Sequence, residues 1–177
     1  MNAGIKPTDE CLVKHNLVKN HQLDYVVYKI EGDKIVPAQQ SPAEERKGKG
    51  ADTGFKEIYQ TFVDALSEAD GARFATLDFK YTVENAPRDK LTFIYWCQEG
   101  TKVKERMISA STFQSFSAKL DVAKKIQCSE VSELEYDRTA AVIVMATDSA
   151  AAASAELATI AAGDAHVRVR ETALEKL

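Results

Sequence analysis

The chain has 177 residues, of which 45% are hydrophobic, so it is long enough for one domain with a sizeable core. Its formal net charge of −4 argues against a nucleic-acid-binding protein that relies on a strongly basic surface. The sequence contains neither a long apolar run nor an apolar signal core, so we expect a cytoplasmic protein, with nuclear access left open. Its three cysteines form no C-x-x-C pair, which is typical of reduced thiols.

The first third of the chain predicts a helix followed by a hairpin. Thr8 is a suitable N-cap, and the acidic residues after it favour the positive end of the helix dipole, so a helix is predicted to about Lys19. His15 lies on the stripe of this helix that is expected to pack. Residues 24–30 and 34–38 predict two antiparallel strands, and residues 39–53, which mix Pro, Gly, Ser and charge, predict a loop.

The middle of the chain predicts a second helix and two more strands. In residues 55–66 the apolar positions recur at i, i+3, i+4 and i+7, which is the pattern of an amphipathic helix. Aromatic and β-branched residues predict strands over 73–81 and 90–96, and residues 84–89 have the composition of a turn.

The stretch 104–120 is the most informative part of the sequence. Ser111 and Gln114 have the spacing of a capping box, so a helix is predicted to begin at Thr112. Lys104 and Arg106 precede it in a segment that we expect to be extended, where alternation would place both cations on one side. Such a pair would attract an acidic partner, but a solvated pair of charges would give the same pattern, and an ordinary core-packed helix would give the same apolar stripe.

The last elements predicted are a short strand over residues 125–131 and a helix from about Glu133, where Ser132 begins a second capping box. The complete order predicts an α+β fold in which a central mixed β-sheet of about five strands carries helices on both faces. We assign residues 1–145 to this domain and residues 146–177 to an Ala-rich tail, partly helical or disordered. No phosphate-binding fingerprint occurs, and we predict no catalytic, cofactor or metal site.

Several segments stand out in this order along the chain: Ala-Gly-Ile at 3–5 followed by Asp-Glu, Ala-Thr-Leu-Asp-Phe-Lys-Tyr at 75–81, and Leu-Thr-Phe-Ile-Tyr-Trp at 91–96. Together they resemble segments of the actin-depolymerising factor/cofilin family. The most specific is Lys-Glu-Arg-Met-Ile-Ser-Ala-Ser at 104–111, which looks like the family's Lys-Ser-Lys-Met-Ile-Tyr-Ala-Ser. The resemblance covers residues 3–137.

The resemblance implies the actin-depolymerising-factor homology fold and binding without catalysis. The protein would bind actin monomers, preferably in the ADP form, and actin filaments, whose severing and depolymerisation it would promote. It would act as a monomer, without nucleic acid, and membrane phosphoinositides would compete for Lys104 and Arg106. The residues that the resemblance assigns to actin contact are Gly4, Ile5, Lys104, Arg106, Met107, Ser111, Thr112, Phe113, Phe116 and Lys119, with Glu130 assigned to the filament.

The sequence also departs from the family pattern. Ala3 occupies the position of the family's regulatory serine, so regulation by phosphorylation there is not expected. Phe113 stands where the family usually has a charged, exposed residue, which indicates either an aromatic anchor for a partner or a shifted packing register. Ala140 to Ile143 replace the charged residues used for the second actin subunit.

These departures leave two alternatives open. One is a relative that sequesters monomers or binds branch junctions and severs filaments weakly. The other, from a different class, is an enzyme that uses Cys97 or Cys128 as a nucleophile.

Overall fold

The computed structural model describes residues 4–42, 53–83, 85–122 and 124–144, and these form four α-helices, one 3₁₀ helix and one six-stranded sheet. The helices are α1 (Asp9–Lys19), α2 (Thr53–Ser67), α3 (Val103–Leu120) and α4 (Tyr136–Val144), and the 3₁₀ helix is Val131–Leu134. The strands are β1 (Lys6–Pro7), β2 (Tyr25–Glu31), β3 (Lys34–Gln40), β4 (Arg73–Val83), β5 (Ala86–Trp96) and β6 (Lys124–Cys128).

The sheet has the order β1-β3-β2-β4-β5-β6 and is mixed, as predicted. Its outer pairs, β1 with β3 and β5 with β6, are parallel, whereas the three inner pairs are antiparallel. The sixth strand, which the sequence did not indicate, is the two-residue β1. The α+β prediction with helices on both faces is confirmed.

The first core lies on the face of the sheet that α2 and α4 cover. Its larger members, all buried, are Tyr25, Val27, Phe55, Tyr59, Phe62, Leu66, Leu77, Phe79, Trp96 and Ile143. Because side chains alternate along a strand, the neighbours of these residues point to the other face. The predicted amphipathic pattern of residues 55–66 therefore corresponds to the contact between α2 and the sheet.

The second core lies on the opposite face, under α1 and α3. Its larger members are Val18, Val26, Tyr28, Ile35, Phe74, Phe93, Phe113 and Phe116. His15 is buried beneath α1, as its place on the predicted stripe indicated, and its Nδ1 lies 3.1 Å from Thr76 Oγ1. Thr8 occupies the N-cap position of α1, but its side chain makes no capping hydrogen bond.

The hairpin between β4 and β5 is tighter than predicted. The turn expected over residues 84–89 is wrong, because Thr82 pairs with Pro87 and Val83 with Ala86, so both strands continue to the end of the hairpin. Asn85, at φ 63°, supplies the left-handed conformation that the short connection needs. Turn-like residues are tolerated in this part of the ladder because it extends into solvent.

The last part of the described chain also differs from the prediction. The strand ends at Cys128, and the capping box is formed by Glu130 and Glu133 around the 3₁₀ helix rather than by Ser132. The final helix consequently begins at Tyr136 instead of near Glu133. The Ser and Glu residues of this segment allow a capping box to begin at either Glu130 or Ser132. The box at Glu130 is the one observed, because it lets the 3₁₀ helix pack against the first core.

Some predictions fall on residues that lie outside the described part of the chain. These are most of the loop over 39–53, the position of Ala3, and the tail over 146–177. Within the described ranges, every helix is too short or too polar to cross a membrane.

Candidate functional site

Helix α3 begins at Val103, nine residues before the predicted start. Ser111 is therefore inside the helix, and the predicted capping box with Gln114 is wrong. The N-cap residue Lys102 makes no side-chain capping bond, so this end of the helix is held by tertiary contacts instead. Glu105 in the first turn adds a favourable interaction with the helix dipole.

Two contacts fix the first two turns of α3 against the rest of the domain. Glu105 Oε1 accepts a hydrogen bond of 3.0 Å from the backbone N–H of Ala72, in the connection between α2 and β4. At the neighbouring Gly71, which has φ 79°, an added Cβ atom would clash with the same Oε1. One turn further, the hydroxyls of Tyr95 and Ser109 are 2.7 Å apart. The sequence signal for these contacts is weak because the partners are distant along the chain.

The two cations of the predicted pair do not share a side of the molecule. In a helix, residues two positions apart are rotated by roughly 200°, so Lys104 and Arg106 project in nearly opposite directions. Arg106 turns back toward the preceding loop, where its guanidinium donates a hydrogen bond to the carbonyl oxygen of Glu99. The expectation of an extended segment with both cations on one side is wrong.

The exposed face of α3 is instead a stripe of residues spaced three or four positions apart. It consists of Val103, Lys104, Met107, Ser111, Gln114 and Ala118, of which Ser111 is half-buried and the others are exposed. Val103 and Met107 have 73% and 69% of their surface exposed and lie one turn apart, so they form a contiguous apolar patch. The sequence analysis missed Val103, Gln114 and Ala118. Their spacing to Met107 would have indicated them if the helix had been extended to residue 103.

Three of the residues assigned to actin contact lie in or beside the second core. Phe113 and Phe116 are 1% and 0% exposed, and Thr112 is also buried. The ring of Phe113 stacks on that of Phe93 with the centroids 5.3 Å apart. These three side chains are therefore not available as direct contacts, and Phe113 reflects a packing register rather than an aromatic anchor.

The other predicted contact residues are accessible. Gly4 is exposed, and Ile5 is half-buried against the second core, where the short strand β1 lies beside α3. Lys119 is exposed in the last turn of the helix. It is roughly 24 Å from Val103 along the axis and rotated from it by roughly 160°, so it lies beside the far end of the stripe and not on it.

Glu130, predicted to contact the filament, is exposed but already has a structural role. Its carboxylate caps the 3₁₀ helix and accepts a hydrogen bond of 3.2 Å from Ser132 Oγ. Glu133 completes the capping box by accepting the backbone N–H groups of Ser129 and Glu130, and these bonds lower the pKa of its carboxyl.

The structure offers little support for a cysteine nucleophile. Cys97 and Cys128 are buried in the second and first core respectively, so they lie on opposite faces of the sheet. Burial raises the pKa of Cys128 to about 12, which keeps it in the unreactive thiol form.

The comparisons with known proteins agree with this fold. Residues 4–142 match the family model described as cofilin/tropomyosin-type actin-binding protein. A cofilin from Cryptococcus neoformans is 32% identical over 141 residues, covering 77% of this chain and 94% of the relative. Actophorin from Acanthamoeba castellanii is 29% identical over 137 residues, covering 76% and 91%.

Solved structures show the same likeness. The crystal structure of Plasmodium berghei actin depolymerization factor 2 matches with a TM-score of 0.68 at 25% identity, covering 81% of this chain and 99% of that one. The mixed sheet with helices on both faces and the family match over residues 4–142 together define an actin-depolymerising-factor homology domain. The chain belongs to the cofilin/tropomyosin-type actin-binding protein family, and the predicted family is confirmed.

Proposed function

We propose that this protein binds actin monomers and filaments through the exposed face of α3 and promotes filament severing and depolymerisation. The observation that carries the proposal is the pair of exposed apolar side chains, Val103 and Met107, one turn apart on the helix. The family match includes this helix, and the relatives named cofilin and actophorin cover most of the chain.

The chemistry of the exposed face suits a partner with an apolar cleft and an acidic rim. Burial of Met107 and Val103 would supply most of the binding free energy, because large apolar side chains in a desolvated centre dominate interfaces. Lys104, next to them, would favour association with an acidic surface. Gly4 and Ile5 would extend the contact, since β1 lies beside α3.

The effect on filaments would come from unequal affinity. A protein that binds one conformation of actin better shifts the population toward that conformation. We propose that the favoured state is ADP-actin with an altered filament twist, which leads to severing and loss of subunits. The protein would act as a monomer in the cytoplasm, without nucleic acid or a catalytic step.

The test is co-sedimentation with actin filaments, combined with microscopy of labelled filaments to count severing events. The wild-type protein should pellet with filaments and raise soluble actin. Lys104→Ala and Met107→Ala should each weaken binding by about fivefold or more, which corresponds to roughly 1 kcal/mol. Val13→Ala, an equally apolar truncation at an exposed position of α1, is the matched control and should bind normally.

The outcome against the proposal is a wild-type protein that neither pellets nor changes the amount of soluble actin. A second informative result would be equal weakening by Val13→Ala and Met107→Ala, which would move the binding surface away from α3.

The alternative function is monomer binding with weak severing. It is favoured by the arrangement around α4, where Ala140 and Ile143 are buried in the first core and Glu130 is engaged in capping. After Arg138, α4 carries no charged side chain as far as Val144, so the later turns of this helix offer none to a second actin subunit. A rise in soluble actin without pelleting of the protein would select this alternative.

Phosphoinositides would compete with actin for Lys104. Because Arg106 projects away and contacts Glu99, we expect Lys104→Ala to reduce binding to phosphoinositide vesicles more than Arg106→Ala does. Equal losses in a vesicle-sedimentation assay would argue against this asymmetry.

A further inference from the structure

Three side chains that can bind metal converge where the connection after α1 crosses the β4–β5 hairpin. His21 Nδ1 lies 2.9 Å from Asp78 Oδ2, and His21 Nε2 lies 3.8 Å from Asp89 Oδ2. One ligand atom from each residue can be chosen so that all three lie within 4.8 Å of one another. These residues belong to three separate segments, so the fold alone brings them together.

The backbone fixes the position of two of the ligands. Asp78 lies in the central strand β4, its side chain is 2% exposed, and its N–H donates a hydrogen bond of 2.8 Å to the carbonyl oxygen of Asp24. His21 follows α1 with φ 60°, and its N–H donates to the carbonyl oxygen of Val18. The buried Asp78 would anchor an ion, while the more exposed His21 and Asp89 leave a path for it to enter.

The charges around the cluster favour a cation. Lys80 Nζ lies 2.8 Å from Asp24 Oδ1 and 3.5 Å from Asp78 Oδ2. With His21 neutral, Asp78 and Asp89 bring two negative charges to the cluster, and the Lys80 ammonium beside them is shared with Asp24. Lys80 is closer to Asp24, so it keeps a carboxylate partner when Asp78 binds another cation. A divalent ion would neutralise the remaining charge.

We propose that His21, Asp78 and Asp89 form a binding site for a zinc-type transition-metal ion. One imidazole nitrogen and two carboxylate oxygens are ligands that zinc accepts, and water would complete a tetrahedral set. Bonds of about 2.0–2.2 Å require the ligand atoms to be roughly 3.3 Å apart. His21 Nδ1 and Asp78 Oδ2 are already this close. Asp89 Oδ2 lies against the other ring nitrogen, Nε2, so the exposed side chain of Asp89 would have to rotate toward an ion held at Nδ1, from within the 4.8 Å that separates the three ligand atoms. Magnesium is disfavoured because it prefers an all-oxygen octahedral shell.

The test is calorimetric titration of the full chain with zinc chloride at about pH 7.5, where protons compete less for the imidazole than at acidic pH. The expected result is one equivalent bound, with at least tenfold weaker binding in each of two variants, His21→Asn and Asp89→Asn. Asparagine tolerates the left-handed conformation at position 21, so this variant should fold. Affinity should also fall at about pH 6, because protons compete for the imidazole.

Matched variants control for adventitious binding. Asp33→Asn removes an exposed carboxylate elsewhere, and His166→Gln removes a histidine outside the described residues; neither should change the titration. Magnesium chloride should give no comparable signal. The proposal is overturned if zinc does not bind, if either His21→Asn or Asp89→Asn binds zinc as the wild type does, or if His166→Gln abolishes binding. The titration contains no actin, so its result is independent of the proposed function.

Discussion

The two faces of α3 contain similar residue types but have opposite roles. Phe113 and Phe116 on one face are buried in the second core, whereas Val103 and Met107 on the other are exposed. Apolar composition alone does not distinguish a packing residue from a candidate contact residue, because both faces have it. The difference is set by the sheet, which covers one side of the helix and leaves the other accessible.

The largest expected effect comes from truncating the buried face. Phe116 contacts the rings of Tyr28, Phe74 and Phe93 edge-on, with centroids 5.1–6.0 Å apart. Phe116→Ala should lower the free energy of unfolding by about 3–5 kcal/mol, since it removes these contacts and leaves a cavity. Urea denaturation measures the change. A loss below about 1 kcal/mol would contradict the burial of this ring.

A smaller loss is expected at Gly71, where the first turn of α3 meets the connection before β4. Gly71→Ala should lower the free energy of unfolding by roughly 1–2 kcal/mol because alanine is strained in the left-handed conformation, and the added Cβ would also displace the Glu105 carboxylate. Gly32→Ala is the control, because it has φ 64° but open space around the added Cβ. The excess destabilisation of Gly71→Ala over Gly32→Ala measures the Glu105 contact, and equal losses would show that this contact contributes nothing.

On the exposed face the same kind of truncation should affect binding rather than folding. Val103→Ser should change the free energy of unfolding by no more than about 0.5 kcal/mol, because the side chain is mostly in solvent. Its affinity for actin should fall by about fivefold, or roughly 1 kcal/mol. Unfolding and co-sedimentation measured on the same preparation test both parts, and unchanged affinity would confine the contact to the later turns of α3.

The smallest expected effect is a pH dependence that originates under α1. Burial lowers the pKa of His15, with a smaller contribution from Lys19, so the folded protein resists protonation there while the unfolded chain accepts it. Stability from this group is therefore present above the ordinary histidine pKa, near 6.5, and is lost progressively as the pH falls from there through the lowered pKa of the folded state. His15→Gln should reduce the loss of stability between about pH 7.5 and 5.5 in urea denaturation.

The contribution of His21 to the pH dependence of stability must be measured separately, because its pKa is raised whereas that of His15 is lowered. Its hydrogen bond to Asp78 stabilises the protonated form, so this contribution is present below the ordinary histidine pKa and is lost as the pH rises through the raised value. The decrease in the free energy of unfolding on acidification should thus be larger in His21→Asn than in the wild type. An identical pH profile for wild type and His15→Gln would contradict the assignment to His15.

Local patterns in the sequence determined the type and order of most elements. The i, i+3, i+4 spacing in residues 55–66, the aromatic runs of β4 and β5, and the hairpin β2–β3 all predicted the observed structure, since each signal involves residues close in the chain. The motif at 104–111 identified the family for the same reason.

Only the tertiary structure decided where α3 begins, which of its residues are exposed, and what Asp78 contacts. A capping box is a local preference worth about 1 kcal/mol, and packing on the sheet together with the Glu105 contact to Ala72 outweighed it. The burial of Phe113 and the meeting of His21 with Asp89 depend on segments that are tens of residues apart. Such contacts form only when the whole sheet has assembled, so no short stretch of sequence can predict them.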